Sequence, residues 1–167
     1  MDRQERKGVT AFLRRKLLGI LPRLSRLWGV VPELPVGEVT MGAATWRVEV
    51  AMTAWRRRVG LSGRAHVPAG TGMLFVYPRL RMRRYTMRGC LVPLDIAFLS
   101  ATLEVVSTHT MLVEPGRAGR KHYDSPSPAR YVLEVPAGEF ARAGVRAGSR
   151  AELSANIPSP LWAEPWP

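Results

Sequence analysis

The sequence predicts a mostly β protein with minor α content: a small antiparallel β-barrel-like domain with one or two short helices, preceded by an amphipathic N-terminal helix. Three observations carry that prediction. From about Thr45 the chain is a series of short apolar or alternating runs separated by Gly, Pro and Arg. With 46% hydrophobic and 23% charged residues in a chain of 167, it has enough apolar material for one ordinary core. The first thirty residues follow a different, helical period.

Within residues 1–35, Thr10 is the expected N-cap, and Leu13, Leu17, Ile20, Leu24, Leu27 and Val31 recur at steps of three or four, which draws an apolar stripe on a helix. Eight basic residues against Asp2 and Glu5 place +6 of the +12 formal charge in residues 1–30. Pro22 is expected to kink or divide that helix. Pro32 and Pro35 make residues 30–39 read as an extended linker. The apolar run Leu17 to Leu21 is far shorter than a membrane span or a signal-peptide core, so neither is expected.

The folded domain is expected over residues 45–155. TWRVEVA alternates Trp46, Val48 and Val50 against Arg47 and Glu49, the period of a half-buried strand. Thr53 is placed to cap the short helix TAWRRRVGL, which Gly60 ends. Residues 72–78, 83–87, 94–100, 103–112, 130–136 and 150–155 are further strand candidates, and spacing of this kind favours a small barrel or sandwich over a parallel sheet. AGEFARAGV reads as a second helix, with Gly144 at a left-handed C-cap and Val145 supplying its apolar contact. Residues 114–127 read as a long exposed loop suited to binding. Four prolines and two tryptophans make residues 156–167 a Pro/Trp-rich tail without regular structure.

The chemistry follows by elimination. No phosphate loop, zinc helix, nucleophile elbow or Cys-x-x-Cys pair occurs, and His66, His109 and His122 lack ligand spacing. No metal, cofactor or catalytic residue is therefore assigned. Cys90 stands alone, which excludes a disulfide framework; Arg88 nearby could activate it, but a small buried hydrophobe is the commoner fate of such a residue. Asp95, between Leu94 and Ile96, either faces solvent or is buried with a partner, for which Arg88 or Arg130 would serve. Arg79, Arg81 and Arg83 share a face in an extended strand, in register with Tyr77 and Tyr85, a pattern that could track a phosphate backbone or merely charge an edge strand.

Four blocks in order, WRVEVAMT with RRRVGLSGR, GTGMLFVYP, YTMRGCLVPLDIAFL and SPARYVLEVPAGEFARAGVRAGSR, resemble the bacterial and archaeal family called domain of unknown function 192, over residues 46–154. The resemblance implies a compact β-barrel-like fold and no established activity. Where the family reads F-W-M-K-N-T-x-I-P-L-D-I, this chain keeps Met87, Pro93, Leu94, Asp95 and Ile96 but has Thr86, Arg88, Gly89 and Cys90 for the tryptophan, lysine, asparagine and threonine. Arg56, Arg57 and Arg58 likewise replace a Glu-Glu-Arg run, so the polar site reads as eroded and the surface as basic.

Together these readings predict a non-enzymatic interaction module. It would be a peripheral or accessory subunit held to an anionic membrane surface or a membrane protein complex by Arg14, Arg15, Lys16, Arg23, Arg26 and Trp28, with Trp162 and Trp166 adding a second contact. The expected location is the cytoplasm, with membrane association at the cytoplasmic face. One alternative is a ligand-binding or enzymatic barrel whose cleft gathers Arg88, Asp95, Tyr123, Ser125 and Glu134. A second is nucleic-acid binding through the strand from Arg79 to Arg88.

Overall fold

A computed structural model of the chain describes residues 34–158. Nine strands and two short helices follow one another: β1 (Val36–Met41), β2 (Ala44–Ala51), α1 (Ala54–Val59), β3 (Thr71–Arg81), β4 (Arg84–Tyr85), β5 (Leu94–Leu99), β6 (Val105–Met111), β7 (Tyr123–Asp124), β8 (Ala129–Pro136), α2 (Glu139–Ala143) and β9 (Ala151–Leu153). Seven strands form one curled sheet, a half-barrel ordered β6-β5-β8-β3-β2-β1-β9, while β4 and β7 make a separate two-stranded ribbon. The edge strands β6 and β9 meet at one end through the Glu104–Arg150 bridge and the Val105 N–H, which donates to the Ser149 carbonyl at 2.8 Å.

The mostly β class and the alternation of β2 agree with expectation, since Trp46, Val48 and Val50 are buried and Arg47 is exposed. The extended reading of residues 30–39 differs at its end. Val36–Met41 is a strand, with Val39 opposite Trp46 on β2 and Leu153 on β9. Gly42 turns β1 into β2 at φ +57°, and a Cβ there would lie 2.2 Å from the Ala143 carbonyl oxygen, so only glycine fits. Every sheet pair is antiparallel except β2 with β3, which run parallel with Val50 opposite Leu74. Residues 52–70, which include α1, supply the crossover that a parallel pair requires.

β5, β8 and the part of β3 up to Val76 are buried on both faces, which explains their uninterrupted apolar runs. One face, hereafter the Trp46 face, packs Trp46, Val48, Leu74, Leu99, Leu133 and Phe140. The other, the Phe75 face, packs Met73, Phe75, Met87, Ile96, Phe98 and Val132. The caps are as predicted. Thr53 Oγ1 accepts from the Arg56 N–H at 3.2 Å. Gly144 is left-handed at φ +69°, and the buried Val145 donates its N–H to the Phe140 carbonyl at 2.9 Å.

Candidate functional site

Register decides where the buried carboxylates go. On the β5/β8 ladder Asp95 stands opposite Val135 and Ile96 opposite Glu134. Successive side chains on a strand leave opposite faces, so Asp95 lies with Ala97 and Leu99 on the Trp46 face and Glu134 with Val132 on the Phe75 face.

Asp95 is 2% exposed and satisfied by neutral donors. Its Oδ1 accepts from the Thr110 hydroxyl at 2.7 Å and its Oδ2 from the Phe140 N–H at 3.1 Å. The carboxylate thus caps the first turn of α2 from a neighbouring strand and pins that helix to the sheet. Neither Arg88 nor Arg130 is its partner, which corrects the counter-ion expectation. The reason is positional: Arg88 is exposed in the connection beyond β4, whereas the N–H groups opening α2 lie directly beside Asp95.

A second carboxylate on this face, Glu139, was not singled out in the sequence. It is 6% exposed, and it accepts from the Trp46 indole N–H and from the Gly70 N–H at 3.1 Å, with Arg142 at 3.8 Å. Trp46 also meets Phe140 edge-on at 5.7 Å. An acid immediately after Ala-Gly at the start of a short helix, within an apolar stretch, was the available signal.

On the Phe75 face Glu134 is 5% exposed and receives no hydrogen bond from any described residue. Burial pushes its carboxyl up to about 8, so at neutral pH it is mainly the neutral acid. Cys90 is buried nearby and its thiol is pushed up to about 11, first by burial and then by Glu134, against a hydrogen bond with Ser62. It is a packing residue and not an activated nucleophile. Tyr77 and Tyr85 share a hydrogen bond between their hydroxyls at 2.7 Å, and burial raises both phenols. Phe75, Tyr85, Phe98, His109 and Tyr123 continue as a chain of ring contacts with centroids 5.3 to 6.1 Å apart. His109 Nε2 and Arg130 Nε are buried without a hydrogen-bond partner among the described residues.

The five cleft candidates therefore do not gather. Asp95 and Glu134 are on opposite faces. Tyr123 is buried within the ring chain, with Lys121 5.0 Å above it. Ser125 Oγ accepts from the Arg83 N–H at 2.8 Å, where it orders the β4/β7 ribbon. Arg88 is held beside the 114–127 segment, where Gly119 approaches its backbone so closely that a Cβ would lie 2.7 Å from the Arg88 nitrogen. That segment is exposed over most of its length, as expected, and folds back on itself: Glu114 accepts from the N–H groups of Arg120 at 2.7 Å and Lys121 at 3.0 Å.

The basic strand is also interrupted. β3 stops at Arg81 and β4 restarts at Arg84, and Arg83 folds over the Tyr77 ring at 3.6 Å while donating to the Ala129 carbonyl at 3.0 Å. Among the described residues no group of three or more His, Cys, Asp and Glu could hold a metal ion, and no helix is long and apolar enough to cross a membrane. Arg14, Arg15, Lys16, Arg23, Arg26, Trp28, Trp162 and Trp166 lie outside the described residues.

Comparison with known proteins agrees with the strand pattern. The family model DUF192, described as uncharacterized ACR, matches residues 37–153. A protein from Sinorhizobium meliloti, provisionally named a transcription regulator, is similar in structure at a TM-score of 0.68 and 28% identity, covering 77% of this chain and all of its own. A protein of unknown function from Novosphingobium aromaticivorans is similar at 0.65 and 26% identity, covering 70% of this chain and 84% of its own. Comparison with curated proteins finds no match.

Proposed function

Since the chain belongs to the DUF192 family, whose members carry no assigned activity, we propose from its own residues that it is a non-enzymatic interaction module. In this reading the half-barrel is a scaffold, and the basic N-terminal segment attaches it to an anionic membrane surface or a membrane protein complex at the cytoplasmic face. The observation that carries it is the fate of the buried polar groups: the candidates Asp95 and Ser125, and Glu139 beside them, are engaged in holding elements together, and Glu134 lies on the other face from Asp95. A catalytic or ligand site needs convergent polar groups that are free to act, and Asp95, Ser125 and Glu139 are each taken up by hydrogen bonds within the fold. Attachment is supported by the +6 charge and the apolar stripe of residues 1–30, the composition of an interfacial helix.

Deleting residues 1–35 tests the reading. The truncated chain, shown by circular dichroism to keep its β signal, should move from the membrane fraction of native cells to the supernatant. Retention on the membrane would overturn the N-terminal attachment. Gentle-detergent purification of both forms, with co-purifying proteins identified by mass spectrometry, then separates a lipid surface from a protein complex.

One observation favours nucleic acid as a second reading: the Sinorhizobium meliloti relative bears a regulator's name, and Arg79 and Arg81 are exposed here. Against it, Arg83 covers the ring of Tyr77 and burial encloses the Tyr85 phenol, which removes the stacking platform expected of that strand. Binding to DNA or RNA that weakens steeply with salt, and that Arg79→Glu with Arg81→Glu abolishes, would establish it.

A further inference from the structure

β2 and β3 run side by side only as far as Ala51 opposite Phe75, after which β3 continues alone on that flank to Arg81. Helix α1 follows β2 directly, and Arg57 ties it to that continuation. Its guanidinium donates to the Val76 carbonyl at 3.0 Å and lies 4.8 Å from the centre of the Tyr77 ring, which Arg83 also covers. Residues 54–59 and 78–84 therefore meet around one tyrosine. Together they hold seven arginines and no acidic residue.

Arg56 faces Glu49 electrostatically, and the other six divide by role. Arg57 and Arg83 are held on Tyr77, and Arg84 pairs with Asp124 at 2.7 Å. Arg58, Arg79 and Arg81 are exposed and make no ion pair with a described residue. On the same two segments Trp55 is 69% exposed, Met82 57% and Leu80 45%. No residue of α1 is buried, so its tryptophan contributes nothing to either core face.

We propose that this patch is a lipid-contact surface of the folded domain itself, made for an anionic bilayer. Side chains alternate along a strand, so Leu80 leaves β3 opposite Arg81, and the unpaired flank is presented edge-on. There an indole partitions to the headgroup level, Leu80 and Met82 suit the acyl boundary, and the exposed guanidiniums suit headgroup phosphates, so the charge and apolar content of the edge are complementary to one occupant. Nucleic acid fits less well, because Leu80 and Met82 offer no stacking face and the face of Tyr77 is taken. The inference rests on the proposed membrane-peripheral role only in its choice of lipid; the patch lies wholly outside residues 1–35.

The test uses the full chain with Cys90→Ala, which removes the native thiol, and a single cysteine carrying an environment-sensitive fluorophore at Leu80, at Met82, or at exposed Ala69 near the far end of β3. With phosphatidylserine-containing vesicles the labels at 80 and 82 should shift to the blue and the label at 69 should not; phosphatidylcholine vesicles should shift none. Trp55→Ser with Leu80→Ser and Met82→Ser should weaken vesicle binding several-fold while the melting temperature stays unchanged. Vesicle binding with silent labels at 80 and 82 overturns the patch and leaves the N-terminal attachment standing. Conversely, label shifts that persist after Arg14, Arg15 and Lys16 are each changed to Glu support the patch and count against the N-terminal attachment. Equal shifts with polyglutamate or single-stranded DNA would overturn the assignment to lipid, as would no binding to vesicles at all.

Discussion

Both faces of the central sheet bury carboxyl groups, and they accommodate them in opposite ways. On the Trp46 face, Asp95 and Glu139 each receive two hydrogen bonds, and those bonds are what hold α2, β6 and the entry to β3 against the sheet. On the Phe75 face, Glu134 receives none from the described residues and is accommodated by keeping its proton. Burial of an acid is thus not by itself a mark of chemistry. One face turns buried charge into architecture, while the other keeps a neutral acid at a standing penalty.

The largest expected effect sharpens this difference through pH. A carboxyl at about 8 in the folded chain, against an ordinary value of 4.5, binds its proton more tightly folded than unfolded. Below 4.5 the proton is present in both states and there is no penalty. As pH rises from there the unfolded chain ionises first, so stability falls, levelling off above about 8. The whole fall is on the order of 5 kcal/mol. Urea unfolding at stepped pH should show it in the wild type, and Glu134→Met should flatten it; an unchanged slope would place the titration elsewhere.

Next in size, Asp95→Ala should lower stability by about 3 kcal/mol, since it leaves the Phe140 N–H and the Thr110 hydroxyl without their acceptor. Asp95→Asn keeps an acceptor for the one and a donor for the other, and should cost less than half as much in the same urea titration. Equal losses from both variants would mean that charge, and not hydrogen bonding, matters at this position. Trp46→Phe should cost about 2 kcal/mol by removing the indole donor to Glu139 while keeping an aromatic ring against Phe140. The smallest effect is a control on neither face: Thr53→Ala removes the α1 cap for about 1 kcal/mol by thermal melting.

What the sequence revealed follows the range of the interactions involved. Thr53, Gly60, Gly144 and Val145 were readable because caps are settled within five residues. β2 was readable because alternation is local. β1 was not, since Pro32 and Pro35 beside it suggest a linker, although it pairs along its whole length with the adjacent β2 and at its end with Leu153 of β9. The parallel pairing of β2 and β3 was hidden by the brevity of α1, only six residues. Asp95 reads correctly as an unusual acid in an apolar strand, but its grouping with Glu134 into one cleft fails on the β5/β8 register, which no single strand encodes. Arg83 illustrates the same limit, because its turn back onto Tyr77 depends on the break after Arg81.

The pairing of β1 with β9 has a topological consequence. The Asn156 side-chain amide donates to the Val36 carbonyl at 2.6 Å, so the chain enters and leaves the half-barrel at one spot. A short linker between these positions would close the domain into a ring, and new ends could then be opened near Gly116, whose surroundings are empty within 4 Å of an added Cβ. Such a circular permutant would carry the same sheet with its terminal extensions moved to the opposite end of the strand order. It would also separate what the half-barrel does from what is attached to its natural ends.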